Sequence, residues 1–209
     1  VSAEEWHARA VEAVNAGRFA RARSLLSRAQ ATATTPAVSG AVEATLAYVE
    51  AESGNLVEAM RLCETALSRA GLDQETRGSI HSQRATLMML GGRSVEAMRE
   101  LDAAIVMLAG STKFLGRAYS HRGNLHLQRN EVAAAQRDFT AAVDLLREAG
   151  LPTEAAMDEH NLGYALLLAG DLVGASRDGS GEGSACAAEP ARAGDLRPGP
   201  GEVLFAAGL

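Results

Sequence analysis

The chain has 209 residues, a net charge of −6, 47% hydrophobic but only 4% aromatic residues, and 21 glycines. That length admits one or two globular units, and the alanine-rich, aromatic-poor composition favours helices packed through small residues over a β-sandwich. With one lysine, Lys113, and no lysine- or arginine-dense block, a phosphate-tracking surface is excluded, so neither nucleic acid nor an anionic membrane is an expected partner.

The N-terminal stretch "VSAEEWHARA" lacks a basic region followed by an apolar run and does not read as a signal peptide. Helices are expected over 3–16 and 18–31, 37–53 and 55–70, 74–91 and 93–109, 113–129 and 131–149, then 153–169. Between hairpins come "TATTP", "AGLD", "AGST" and "AGLP", which supply C-cap glycines, N-cap candidates and prolines. The 3.6-residue period is plain in Val132, Ala135, Phe139, Ala142, Val143 and Leu146. The longest apolar run, "YALLLAG", is far too short to span a bilayer, and a soluble cytoplasmic protein is expected.

One pattern recurs five times. "AGRFARA", "SGNLVEA", "GGRSVEA", "RNEVAAA" and "AGDLVGA" each place a turn residue (Gly17, Gly54, Gly92, Asn130, Gly170) five before an alanine (Ala22, Ala59, Ala97, Ala135, Ala175). The steps between those alanines are 37, 38, 38 and 40. A small residue lies seven before each turn (Ala10, Ala47, Ala85, Gly123, Gly163), and another seven after the alanine (Ala29, Ala66, Ala104, Ala142). Leu26, Cys63, Leu101 and Phe139 follow the alanines by four. The turn residue can adopt φ > 0 and end one helix, and the small residues let the returning helix approach closely. Leu26, Leu101 and Phe139 are expected to fill the space between neighbouring pairs.

On these residues the chain resembles a tetratricopeptide repeat (TPR) array. Tyr119, Gly123, Ala135, Phe139 and Ala142 match the family pattern in the fourth repeat, Trp6, Ala10, Ala22, Leu26 and Ala29 in the first, and Leu162, Gly163 and Ala175 in the fifth. The resemblance implies an all-α, TPR-type α-solenoid of antiparallel helix hairpins with a right-handed superhelix, about four and a half repeats over residues 1–175. The period is longer than the family's 34 residues, the late proline is absent, and Arg9, Arg84 and Arg122 stand where leucine is common. The wording of "HNLGYALLLAGDL" also resembles the TPR portion of actinobacterial CHAT-domain proteins, which join such an array to a caspase-like protease domain. No such domain follows here. That resemblance implies a regulatory or sensing arm of a larger CHAT-type protease, or of a bacterial transcriptional regulator, without its effector domain.

Chemistry is sparse. No phosphate loop, nucleophile elbow or H-E-x-x-H occurs, so no catalytic residue and no cofactor is expected. His121 and His126 lie on different helix faces, and neither they nor His160 in "DEHN" has a ligand set around it, so no metal site is expected. Cys63 takes the packing slot of Leu26, Leu101 and Phe139 and reads as a buried thiol; Cys186 has no partner signal. Met88, Met89, Met98 and Met107 at helical spacing read as core. The resemblance implies that the first helix of each hairpin lines a concave groove, which here includes His7, Tyr48, Gln83, Arg117, His121, Asn124, His160, Asn161 and Tyr164. Asn and Arg there suit a peptide backbone or a carboxylate, whereas a merely solvated polar face fits equally well. The expected function is a non-catalytic scaffold binding a peptide or helix. One lysine does not match the lysine-plus-asparagine clamp by which some TPR domains grip a chaperone's acidic C-terminus.

After Ala175 the pattern stops. Residues 176–201 are rich in Gly, Pro and Ala with almost no large apolar side chains, so they read as an irregular or disordered segment. "EVLFAAGL", 202–209, reads as a fragment of a further helix, with Gly208 in the established 38-residue step from Gly170. Either a genuine insert or a pair of compensating frame shifts in GC-rich coding DNA accounts for the break. On both accounts helix 153–169 loses its partner, so fraying or self-association is expected there. An end at Leu209, between helices, is expected to mark a cut chain.

Overall fold

In the computed structural model, which describes residues 1–170, the chain forms nine α-helices among the described residues: α1 Ala3–Asn15, α2 Phe19–Thr32, α3 Pro36–Glu52, α4 Leu56–Ser68, α5 Gln74–Leu90, α6 Ser94–Met107, α7 Thr112–Gln128, α8 Val132–Glu148 and α9 Pro152–Leu168. Each lies within two residues of its expected span. The expected segments 176–201 and 202–209, and the last residues of the array to 175, lie outside the described residues.

The hairpins begin and turn for different local reasons. Three of the first helices start on side-chain caps. Ser2 Oγ accepts from the Glu5 amide at 3.2 Å while Glu5 Oε2 accepts from the Ser2 amide at 2.7 Å. Thr35 caps the Val38 amide ahead of Pro36, and Asp73 caps the Thr76 amide at 2.7 Å. These bonds satisfy amides that a helix start leaves bare. The second helices have no such caps; each follows a tight turn whose backbone pairs with itself. Gly17, Gly54, Gly92, Asn130 and Gly170 all have positive φ, between 59° and 83°. After the first four, the next amide reaches back to Ala13, Glu50, Met88 and His126 carbonyls, each at 2.8 Å. This is the six-residue closure that a left-handed residue permits. α4 ends two residues before its expected limit because Arg69 leaves the helix and grips both oxygens of Glu43 on α3.

Packing follows the small residues. Ala10, Ala47 and Ala85 are fully buried, as are Ala22, Ala59, Ala97 and Ala135, and Leu26, Cys63, Leu101 and Phe139. The bulky set fills space within its own hairpin rather than only between pairs: a Cβ on Gly123 would stand 2.7 Å from the Phe139 ring. The fourth repeat thus pairs its larger ring with glycine, where the sister repeats pair alanine with Leu26, Cys63 or Leu101. A second glycine series, Gly40, Gly78 and Gly116, lies at a step of 38 that the sequence reading passed over. A Cβ at these sites would meet Leu72, Leu108 and Leu146 at 2.8–3.0 Å. Met88 and Met89 are buried, and Met98 packs on their cluster. Cys63 is fully buried, which pushes its thiol up to about 12 and leaves it inert.

The arginines in the leucine slot are paired. Arg84 makes a fork to Glu100 at 3.0 and 2.6 Å, and Arg122 one to Asp138 at 2.7 and 2.9 Å with a third bond to Asp102. Both forks tie the first helix of a hairpin to its second. In the second repeat the same two positions hold Leu46 and Leu62, so an ion pair stands in for an apolar contact. Arg9 instead lies over Trp6 at 5.3 Å, with Arg28 on the same ring at 4.9 Å. Such crossbars add little net stability, yet losing one partner leaves a poorly solvated charge and costs about 3–5 kcal/mol.

Successive first helices touch one another (α1 with α3, α3 with α5, α5 with α7, α7 with α9), while no two second helices come into contact among the described residues. The stack is therefore curved, with α1, α3, α5, α7 and α9 on the inner wall.

Replacing Gly123 by Ala is expected to destabilise the protein by about 1–3 kcal/mol, the usual effect of overfilling a packed core. Adding Phe139→Leu recreates the Ala85–Leu101 pair of the third repeat and should recover most of that loss. Urea midpoints of the two single variants and the double variant check this; strictly additive losses would rule out the ring contact as the cause.

Candidate binding surface

The inner wall is stitched by side chains that reach from one first helix to the next. Thr45 Oγ1 on α3 donates to the Ala41 carbonyl at 3.0 Å, so its oxygen accepts from His7 Nε2 on α1 at 2.8 Å. Gln83 Nε2 on α5 donates to the Ala44 carbonyl of α3 at 2.5 Å. Ser82 Oγ on α5 meets His121 Nδ1 on α7 at 2.9 Å. Ser120 Oγ on α7 hydrogen-bonds Asp158 Oδ2 on α9. All four joints between first helices thus carry at least one polar contact, and no buried side-chain polar atom among the described residues lacks a partner.

Burial sets the electrostatics of this seam. Desolvation lowers His7, and together with the nearby Arg117 charge it pushes His121 down to about 4, so both imidazoles are held neutral. Desolvation, aided by the Glu154 charge, raises Asp158 to about 7 against the hydrogen bonds from Ser120 and Asn161. Tyr48 is raised by burial and by the Glu52 carboxylate, and burial raises Glu52 in turn. At the N-terminal edge of α7, Lys113 lies 4.7 Å over the Phe114 ring and is lowered by burial and by Arg117.

The structure divides the expected groove residues into two groups. Tyr48 is buried against Phe19, edge to face at 6.4 Å. Gln83 and His121 belong to the seam. Arg117 grips both oxygens of Glu154 at 2.7 and 2.6 Å, joining α7 to α9, and Asn161 bonds Asp158. These five, with His7, hold helices together. Asn124 and Tyr164 are half-buried and His160 is exposed, and none of the three makes a side-chain hydrogen bond among the described residues. Asn124 and Tyr164 occupy the same position in adjacent repeats, one after the small residue at Gly123 and Gly163. They offer an amide, with both donor and acceptor, and a phenol.

Thr45, Ser82, Ser120, Glu154 and Asp158 build the seam from outside the expected set. Asp158 carried a readable signal. It lies five before Gly163, where Val42, Ile80 and Ala118 lie five before their own small residues. Those three are fully buried, and Asp158 is 4% exposed, so an acid fills an apolar slot.

His121 stays neutral in the fold to about pH 4, whereas an unfolded imidazole protonates near 6.5. Its contribution to stability is therefore present above about pH 6.5 and lost as the pH falls toward 4, with a limiting slope of about 1.4 kcal/mol per pH unit. His121→Gln should flatten that part of the acid limb in urea titrations at pH 7, 6 and 5. Wild-type and variant curves that run parallel would exclude His121 as the source.

No protein-family model matches the sequence, and no curated protein matches it. Solved structures do. BtubC (BKLC) from P. vanneervenii is similar with a TM-score of 0.67 and 19% identity, over 93% of this chain and 86% of that one. A STAND-class signal-transduction ATPase with a tetratricopeptide repeat sensor, from Pyrococcus horikoshii, gives a TM-score of 0.66 and 17% identity over 83% of this chain, which spans 28% of the ATPase. The TPR-like repeats of a putative kinesin light chain from Podosopora anserina give 0.59 and 18%, over 84% and 90%. No helix among the described residues is long and apolar enough to cross a membrane. The described chain therefore has the fold of a TPR-type α-solenoid.

Proposed function

We propose that this protein is a non-catalytic scaffold that binds an extended peptide or a helix of a protein partner along its inner wall. The observation that supports the reading is the contrast within that wall: most polar side chains are committed to the seam, while Asn124, His160 and Tyr164 on α7 and α9 make no side-chain hydrogen bond among the described residues. A peptide backbone offers one donor and one acceptor per residue, which an amide matches from either side. The Arg117–Glu154 fork, about two turns along α7 from Asn124, joins the two helices that carry Asn124 and Tyr164.

Selection of displayed random peptides on the 209-residue chain tests the reading. For a selected peptide, Asn124→Ala and Tyr164→Ala should each weaken binding about tenfold, the scale of one lost hydrogen bond in a partly desolvated site. Val57→Ala, on the outer second helix α4, should leave it unchanged. Binding retained in both inner-wall variants would count against this surface.

A second reading makes the array a sensing arm of a larger chain, a CHAT-type protease or a transcriptional regulator. Its support is the similarity to the STAND ATPase, whose TPR sensor is a part of a much longer protein. The array's C-terminal end also supports self-association, because Leu167 and Leu168 are about half exposed there. Sedimentation equilibrium should show a concentration-dependent dimer that Leu168→Glu abolishes; a monomer at all concentrations would remove this reading.

A further inference from the structure

The joint between α7 and α9 differs from its three sisters in holding an acid. Asp158 stands in a slot that apolar side chains fill in the second, third and fourth repeats, and its carboxyl is almost wholly removed from water. The hydrogen atoms around it constrain its charge. Ser120 Oγ lies 3.2 Å from the Gly116 carbonyl and also contacts Asp158 Oδ2. A hydroxyl has one proton, and both of those oxygens are acceptors if the carboxyl is ionised. One contact then lacks a proton. With Asp158 protonated, Ser120 donates to Gly116, Asp158 donates to Ser120 Oγ, and both contacts are satisfied. The α1–α3 joint works the same way, with Thr45 donating to its own helix and accepting from neutral His7.

Among the described residues no cation compensates an ionised Asp158. On α7, Arg117 is engaged with Glu154, and neutral His121 with Ser82. On α8, Asp138 is paired with Arg122 and Arg147 with Glu159. On α9 itself, Glu154 adds a like charge and Asn161 contributes a neutral hydrogen bond.

We propose that Asp158 is a proton-operated latch: protonated, it seats α9 against α7 through Ser120, and ionised, it loosens that joint. The direction is opposite to that of an acid paired with a cation, which favours the fold when ionised. Burial places the change at about pH 7, above the ordinary carboxylate value near 4. The seating is complete at low pH and is lost as the pH rises through 7. Because α9 carries His160, Asn161 and Tyr164, the latch governs whether that end of the inner wall is assembled.

Amide hydrogen exchange on the full chain at pH 6 and pH 8 tests this, in a His160→Gln background so that the exposed imidazole on α9 makes no contribution. Each rate is divided by its unfolded-peptide rate at the same pH, and α9 is read against α7 and α8. Protection of α9 should be about tenfold higher at pH 6 than at pH 8, from linkage to one group titrating at about 7. Asp158→Asn, which keeps shape and a donor for Ser120, should give the pH 6 level at both values. Asp158→Ala, the residue Ala118 supplies in the sister slot, serves if the Asn variant fails to fold, and should also be flat with pH. The Asp158 carboxyl carbon in the parent chain should titrate at about 7. A flat parent profile, a tenfold ratio surviving in either variant, or a carboxyl that titrates near 4 would overturn the latch.

Discussion

The structure depends on how near two antiparallel helices can come. At each crossing a residue without a side chain of any length, Ala10, Ala47, Ala85 or Gly123, faces a larger one on the returning helix, and both are sealed from water. The pair is matched in size: where the ring of Phe139 is larger, the facing residue is smaller by one carbon. Gly40, Gly78 and Gly116 repeat the device near the open end of the second, third and fourth hairpins against Leu72, Leu108 and Leu146. Two close contacts fix the line along which the helices lie. The turns at Gly17, Gly54, Gly92 and Asn130 then only have to close a gap already set. Dense packing of this kind tolerates little change in volume, which is why the period is held so narrowly.

Much of this was legible because the chain repeats. Alignment of five copies exposes positions where only small residues occur, and a position restricted to Ala and Gly reports a close approach. Helix limits followed from the turn residues and caps. The inner wall was less legible. Tyr48, Gln83 and His121 were rightly placed on first helices, but position in a repeat does not say whether a side chain is spent on a neighbouring helix. Gln83 reaches a backbone carbonyl, Ala44, and backbone acceptors have no identity in a sequence. His121 and Ser82 lie 39 apart, and their contact depends on the rotation between two repeats. Asp158 was readable in principle, as an acid in a column of Val42, Ile80 and Ala118, but the pattern was read for small residues and not for charge.

The arginine crossbars show how a repeat can depart from its pattern and keep its geometry. Arg84 with Glu100, and Arg122 with Asp138, span the gap that Leu46 and Leu62 close by contact. A fork satisfies its charge in one arrangement, whereas two leucines slide past one another with little penalty. The third and fourth hairpins are thus fixed in register by direction as well as by volume. The two kinds of repeat follow one another along one chain at the same 38-residue step.

The contact of first helices with one another, and the separation of the second helices, has a mechanical consequence. A pull along the array's axis finds no resistance from helix-to-helix contact on the outer wall, so the load falls on the inner seam and on the packing of each second helix against the first helix of the next repeat. On the seam the polar tension members are His7 to Thr45, Gln83 to Ala44, Ser82 to His121, Arg117 to Glu154 and Ser120 to Asp158. Each couples only adjacent repeats. The array is built as a spring whose coils share a backbone and whose stiffness is set joint by joint, and it yields at its weakest joint while the others keep their shape.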